Sequence, residues 1–232
     1  MTTLRAVSFD FGQTLAELDP AMLARRVAER GVAVAPDRVE AAVPGAWGAY
    51  DAAIRGGGGG HPWKILMARL LDLAGVPAGR VADLTDWLWL EQPAQNLWRR
   101  PIPGVIDVVR ELAGAGVPLA LLSNSEGRIA ELADELGWLG LFPVVADSGR
   151  LGIEKPDRAI FVWTAERLGV GIDEVVHVGD SRAADVDGAI GAGMSAIWFR
   201  GDPAIDLGPR GRVARGPDEL RAAFAALGLL PA

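Results

Sequence analysis

Three carboxylates and two amines concentrate the chemistry that this sequence can do. Asp10 closes the apolar run Leu4-Arg-Ala-Val-Ser-Phe-Asp10, and Asp180 closes the run Glu174-Val-Val-His-Val-Gly-Asp180. A third run, Pro118-Leu-Ala-Leu-Leu-Ser-Asn124, ends on Ser123 and Asn124. Asp185 follows Asp180 by five residues, and a strand-to-helix turn there places it in a first helical turn, favoured by the helix dipole. Asp10, Asp180 and Asp185 then form an oxygen-rich cluster whose mutual repulsion calls for a hard dication, and oxygen-only ligation suits Mg²⁺. Amines are scarce, because 21 arginines stand against only two lysines, Lys64 and Lys155. An amine does what a guanidinium cannot, which draws attention to both.

The elements that must position these groups follow from the apolar pattern. Besides the three runs above, shorter ones of strand character lie at Val144-Val145 and at Ser195-Ala-Ile-Trp-Phe199. Helical faces lie between them: Val105, Val109 and Leu112; Ile129, Leu132 and Leu136; Ile160, Phe161 and Leu168; Val186, Ala189 and Ile190. From about residue 104 helix and strand alternate, the signature of a doubly wound α/β fold with a parallel sheet covered on both faces. Ligands of such sheets bind beyond the carboxyl ends of the strands. Topology therefore predicts that Asp10, Ser123-Asn124 and Asp180-Ser181 converge.

Residues 15–103 read differently. Helical periodicity near 20–30, 37–54, 63–74 and 81–91 is broken by Gly31, the Gly56–Gly60 run, Gly75-Val-Pro77 and Pro93, with no strand among them. The organisation expected is an α/β core domain of residues 1–15 and 104–232 with a helical cap domain inserted over 16–103. Asp19-Pro20 and Pro101-Ile-Pro103 mark the two crossings. The cap block carries ten acidic and ten basic residues, so the whole net charge of −7 falls on the sheet domain. That domain needs a cation to hold an anionic ligand.

Composition narrows the function classes. The chain has 232 residues, 50% hydrophobic and 23% charged, as ordinary soluble globular proteins have. No cysteine is present, which excludes a disulfide framework, a thiolate metal site and a cysteine nucleophile together. A pI near 4.9 argues against nucleic-acid and anionic-membrane partners. With no long apolar run and no signal-peptide pattern, the reading is a cytoplasmic, soluble protein.

Four ordered motifs carry a family resemblance. They are Phe9-Asp10-Phe11-Gly12-Gln13-Thr14-Leu15; Leu122-Ser123-Asn124; Gly152-Ile-Glu-Lys155-Pro156-Asp157; and Val178-Gly179-Asp180-Ser181 with Asp185. In these the chain resembles the haloacid dehalogenase-like (HAD) hydrolase superfamily, specifically members with a helical cap inserted after the first motif. The resemblance implies a Rossmann-like core, an active site between core and cap, and a phosphatase acting on a small phosphorylated metabolite. Asp10 would be the nucleophile, forming an aspartyl-phosphate. Asp10, the Gly12 carbonyl, Asp180 and Asp185 would be the Mg²⁺ site. Ser123, Asn124 and Lys155 would contact the phosphoryl group, with Ser123 and Lys155 catalytic and Asp185 orienting Lys155 or the metal shell. The protein is expected as a monomer or homodimer.

One departure from the family pattern bears on activity. Most phosphatases of the superfamily carry a second Asp two residues after the nucleophile as general acid and base, and here that residue is Gly12, with Gln13 where Gly is usual. Such a group contributes roughly 10²–10⁴ in rate, and its loss should hurt alkyl phosphates most. Two alternatives follow: a catalytically weak, phosphate-binding relative, or C–P cleavage of the phosphonoacetaldehyde hydrolase kind, which uses a cap lysine and here could use only Lys64. Of the other conspicuous residues, His177 reads as a packed strand side chain, His61 as a loop residue beside the glycine run rather than a substrate contact, and Arg99-Arg100 as a solvated hinge rather than a phosphate clamp. Trp47, Trp63, Trp87, Trp89 and Trp98 read as cap core or cap–sheet contacts rather than substrate lining, and Thr14 as a turn and helix-start residue.

Overall fold

Ser8 lies on the strand around which the larger sheet is built, and Asp10 directly follows that strand. In the computed structural model, which describes residues 3–56 and 62–231, the strands in chain order are β1 (Ala6–Phe9), β2 (Ala16–Leu18), β3 (Trp98–Pro101), β4 (Leu119–Ser123), β5 (Val144–Asp147), β6 (Val175–Gly179), β7 (Ser195–Phe199) and β8 (Gly211–Ala214). Six of them form one sheet in the order β5-β4-β1-β6-β7-β8, and every pairing is parallel. Parallel strands are covered on both faces and so read as continuous apolar runs. Accordingly β1, β4 and β6 are buried at every position. The strand order reverses at β1, whose neighbours are β4 and β6, and this is where open sheets of this kind bind ligands.

The helices are α1 (Pro20–Ala28), α2 (Pro36–Gly56), α3 (Pro62–Ala74), α4 (Ala78–Glu91), α5 (Val105–Gly114), α6 (Ile129–Glu135), α7 (Ser148–Leu151), α8 (Arg158–Leu168), α9 (Gly188–Ala192) and α10 (Pro217–Ala226). One face of the sheet is filled by α8, α9 and the turn before α9, where Ile160, Phe161, Val186 and Ala189 pack with Leu122, Ala146 and Ala196. The other face is centred on Phe9, whose ring meets Phe142 and Phe224 edge-on at 6.3 and 6.1 Å. Such edge-to-face pairs add about 0.5–1.5 kcal/mol beyond their buried area.

The chain divides into two compact units, Met1–Glu17 with Arg100–Ala232, and Leu18–Arg99. The second unit holds α1 to α4. Its first helix is started by Asp19, whose carboxylate accepts from the Met22 N–H at 2.9 Å, with Pro20 at the first helical position. Arg26 is buried in this unit, paired with Glu29 and Glu91 and lying 4.5 Å from the Trp87 ring centroid. Trp63 packs on Trp89 and Trp98 at 5.2 and 6.4 Å, and Trp47 on Tyr50 at 5.0 Å. Of these tryptophans Trp98 is buried, while Trp47, Trp63, Trp87 and Trp89 are half-buried.

Several expectations need correction. Residues 15–103 contain strands after all: β2 and β3 pair with each other as a separate two-stranded sheet. With three and four residues they are too short to display alternation, and pairing with a partner some 80 residues away in sequence is what makes them strands. Thr14 does not start a helix but precedes β2. Arg100 is no free hinge cation, because it pairs with Glu17 at 2.7 Å. Strand β8 and helix α10 were not anticipated. His61 and glycines 57–60 lie outside the described residues. No helix among the described residues is long and apolar enough to cross a membrane.

Candidate active site

Register brings the strand-end residues together. Phe9 lies opposite Leu121 of β4 and Val178 of β6, so the next residue, Asp10, emerges between the ends of both neighbours. Its N–H still donates to Val178 O at 2.8 Å, which carries the ladder one residue past β1. Ser123, the last residue of β4, donates its hydroxyl to Asp10 Oδ1 at 3.1 Å. Asp180 follows β6 directly. One oxygen from each of Asp10, Asp180 and Asp185 lies within 4.8 Å of the others.

Lys155 enters this group from the loop after α7, which ends at Gly152 in a left-handed conformation (φ 68°). Its Nζ is 2.7 Å from Asp10 Oδ1, 2.7 Å from Asp185 Oδ1 and 2.9 Å from the Leu122 carbonyl. These are three acceptors for the three N–H donors of a buried ammonium. Burial opposes the charge on Lys155, but Asp10 and Asp185 outweigh it and raise its pKa above the usual lysine value. Asn124, expected among the substrate contacts, has its side-chain amide committed to the Lys155 backbone. It donates to Lys155 O at 2.9 Å and accepts from Lys155 N–H at 2.8 Å. A side chain bonded twice to one backbone residue in this way holds the loop that carries Lys155.

The Asp185 carboxylate is held by three groups. The Ser181 hydroxyl accepts from the Ala184 N–H at 3.1 Å, and Asp185 Oδ2 accepts from the Ser181 N–H at 2.9 Å, a reciprocal cap on a π-helical turn, Arg182–Asp187. Its Oδ1 receives Lys155 and the His177 imidazole, the latter at 3.2 Å. Gly179 leaves the room: a Cβ there would stand 2.2 Å from Asp185 Cγ. Burial would raise the Asp185 pKa, yet Lys155 and then His177 reverse this and hold it down to about 2. Asp185 was expected among the metal ligands; both its oxygens accept hydrogen bonds from the chain itself, an arrangement suited to holding Lys155.

Asp10 is electrostatically the opposite case. Burial, the largest influence, raises its pKa above the ordinary value; Lys155 opposes this and the Asp185 charge adds to it. Its Oδ1 takes both Lys155 and Ser123, while Oδ2 makes no hydrogen bond among the described residues. A cation beside the carboxylate would relieve the buried charge. The donor set is all oxygen and fits a hard divalent cation. The Gly12 carbonyl accepts no backbone hydrogen bond among the described residues.

The loop after Asp10 turns tightly. The Leu15 and Ala16 N–H groups both reach back to Phe11 O, at 2.9 and 3.0 Å, and Gln13 adopts φ 57°, unusual for a residue with a side chain. Thr14 is fully buried, with its hydroxyl unpartnered among the described residues. Asp147, at the end of β5, escaped the sequence reading although it closes a strand as Asp10 does. It accepts from Ser125 Oγ (2.6 Å), Ile129 N–H (3.0 Å) and Gly149 N–H (3.0 Å), and so ties the loop after β4 in place. Lys64, in the other unit, pairs with Asp86 at 2.6 Å.

Comparison with known proteins identifies the family. The mouse (Mus musculus) haloacid dehalogenase-like hydrolase domain-containing protein 3 is 29% identical over 154 residues, 66% of this chain and 61% of that protein. The glyceraldehyde 3-phosphate phosphatase of Methanopyrus kandleri is 37% identical over 112 residues, 48% of each chain. The chain thus spans about half the length of the curated relatives it matches. Among solved structures, magnesium-bound YfnB of Bacillus subtilis, described as a HAD-hydrolase, superposes with a TM-score of 0.73 at 20% identity, covering 97% of this chain and 99% of that one. At that identity the likeness speaks to the fold. A family model described as haloacid dehalogenase-like hydrolase matches residues 4–193, well over half of the sequence, and the chain belongs to that family.

Proposed function

We propose that this protein is a Mg²⁺-dependent phosphatase that hydrolyses a small phosphorylated metabolite through an aspartyl-phosphate on Asp10. The observation that carries this reading is the asymmetry of the Asp10 carboxylate: Oδ1 is held by Lys155 and Ser123, and Oδ2 makes no hydrogen bond among the described residues. A carboxylate gripped by one oxygen presents the other as a nucleophile. The phosphatase named among its relatives supports the choice of phosphorus as the electrophile.

In the reaction Asp10 Oδ2 bonds to phosphorus as the bond from phosphorus to the ester oxygen breaks. Lys155 and the Ser123 hydroxyl turn toward the phosphoryl oxygens, where charge gathers, so Lys155 exchanges one of its internal acceptors for substrate. Water then attacks phosphorus, releasing phosphate and restoring the carboxylate. Asp10, Asp180 and the Gly12 carbonyl are the groups proposed to hold Mg²⁺, which when bound neutralises nucleophile and phosphate together. Asp185 keeps Lys155 aimed. No carboxylate stands at residue 12 to protonate the departing oxygen, so the proton comes from solvent and good leaving groups are favoured. Aryl and acyl phosphates are therefore the expected substrates in an assay with Mg²⁺. Turnover by the wild type and none by Asp10→Asn is the expected result; an inert wild type across such a panel overturns the proposal.

Gly12 and the left-handed Gln13 also favour a second reading, a phosphate-binding protein with little turnover. Calorimetry separates the two, since this reading requires phosphate-ligand binding without product. The pairing of Lys64 with Asp86 gives no support to a Schiff-base lysine for C–P cleavage.

A further inference from the structure

Behind the candidate site runs a buried polar chain that the reaction outlined above does not use. Ser8 and His177 are register partners on the adjacent strands β1 and β6, and their side chains therefore lie side by side. Ser8 Oγ is 2.9 Å from His177 Nδ1, and His177 Nε2 is 3.2 Å from Asp185 Oδ1. Asp185 Oδ1 in turn meets Lys155, and Lys155 meets Asp10. Ser8 and His177 are wholly buried, and Phe161 closes on the imidazole edge-on at 5.6 Å. Alternation along β6 puts His177 and Gly179 on one face of the sheet, the face on which the Asp185 carboxylate rests.

The hydrogen positions follow from the chemistry of the partners. Asp185 Oδ1 is shared with the Lys155 ammonium and is an acceptor, so His177 Nε2 must carry the hydrogen. A neutral imidazole then has its lone pair on Nδ1, and the Ser8 hydroxyl donates to it. In this neutral form both ring nitrogens of the wholly buried His177 are paired and no further charge is buried. A serine in mid-strand thus selects one tautomer of a histidine, and that tautomer supplies the donor aimed at Asp185.

We infer that His177 is a positioning residue for the reaction, held by Ser8 in its Nε2–H tautomer so that it pins the Asp185 oxygen that orients Lys155 against Asp10. The inference rests on the phosphatase reading above. A packed core histidine with no such part would need its volume but not its Nε2–H. Outer hydrogen-bond partners of this kind change activity by about 10–100-fold in other centres. The distinguishing signature is a loss in kcat while KM holds, because Asp185 meets the substrate only through Lys155.

Two measurements test this. The first is the long-range ¹H–¹⁵N spectrum of the labelled protein at neutral pH, where the two histidines are told apart by His61→Ala. A neutral Nε2–H ring for His177 is expected, and an Nδ1–H or doubly protonated ring overturns the inference. The second is the kinetics of His177→Phe and His177→Gln on p-nitrophenyl phosphate with Mg²⁺. The phenyl variant keeps the ring and the Phe161 contact but has no donor, and should lose about tenfold or more in kcat with KM within about threefold. The glutamine variant restores an N–H near the Nε2 position and should recover much of that loss. Equal activity of wild type and folded His177→Phe overturns the inference, as does equal loss in both variants. Should the phenyl variant fail to fold, Ser8→Ala decides, for it should admit the second tautomer and lower kcat, and no change in either counts against the inference. If the wild type itself does not turn over, the phosphatase reading falls, while the spectrum still decides whether His177 donates to Asp185.

Discussion

Asp185 occupies the space that a side chain on Gly179 would need: a Cβ built on Gly179 falls 2.2 Å from Asp185 Cγ and 2.3 Å from its Oδ2. The glycine is required there by a carboxylate six residues further on, not by its own backbone, since its φ lies outside the left-handed region. Gly179→Ala should therefore push Asp185 off Lys155, cost about 1–3 kcal/mol in stability as overpacking does, and reduce turnover. Gly191→Ala, where a Cβ meets nothing within 4 Å, is the matched control. Thermal denaturation with kinetics on both variants checks this, and equal behaviour of the two would show that Asp185 yields freely.

Asp10 carries a buried charge that the surrounding protein disfavours, as its raised pKa indicates. Asp10→Asn removes that charge and its repulsion by Asp185, so the variant should melt at or above the wild-type temperature while activity drops at least about a thousandfold. Differential scanning calorimetry and a phosphate-release assay on the same preparation would measure both. A variant that is inactive because it is unfolded runs against this expectation.

Supplying the missing carboxylate should shift substrate choice. Gly12 is not among the left-handed residues of the loop. Gly12→Asp should raise kcat/KM for alkyl phosphates by about tenfold or more, within the range of a general acid, and change p-nitrophenyl phosphate much less. The ratio of the two substrates is the quantity to compare, because it cancels differences in folded fraction.

Chelation should abolish turnover and added Mg²⁺ should restore it. In Asp180→Asn the Mg²⁺ concentration for half-maximal rate should rise by about tenfold or more, because changes to mere outer partners of metal sites already cost that much. Titration of activity with Mg²⁺ provides the measurement. Full activity in excess chelator would remove Asp180 from the proposed metal site.

Low pH should loosen the fold through Asp185. Its pKa is about 2 in the folded chain against an ordinary 3.8, and a folded value below the unfolded one gives stability that is complete above the unfolded value. That contribution, on the order of 2 kcal/mol, is lost as pH falls from about 4 toward 2. Denaturant midpoints measured across this window without metal should fall more steeply for the wild type than for Asp185→Asn. Parallel slopes would contradict the pairing of Asp185 with Lys155 as the source of the shift.

Much of the site could be read before any coordinates because its first layer is set locally. An apolar run of strand length that ends on Asp10, Ser123 or Asp180 states both the strand and the polar group at its end, and the alternation with helices after residue 104 states that those ends share one side of a sheet. Asp185 was legible for the same reason, being fixed by the capped turn that follows its strand. Three things lay beyond local pattern. Lys155 and Asp10 are 145 residues apart in sequence, and only the order β4-β1-β6 sets three acceptors around that amine. Ser8 and His177 look like ordinary members of apolar runs, and only strand register makes them partners. The amide of Asn124 could have faced a ligand; packing turned it onto the Lys155 backbone. Sequence pattern encodes which residues are buried and where strands end, since burial has a period; which distant groups then touch depends on sheet order and register, which no single stretch of chain contains.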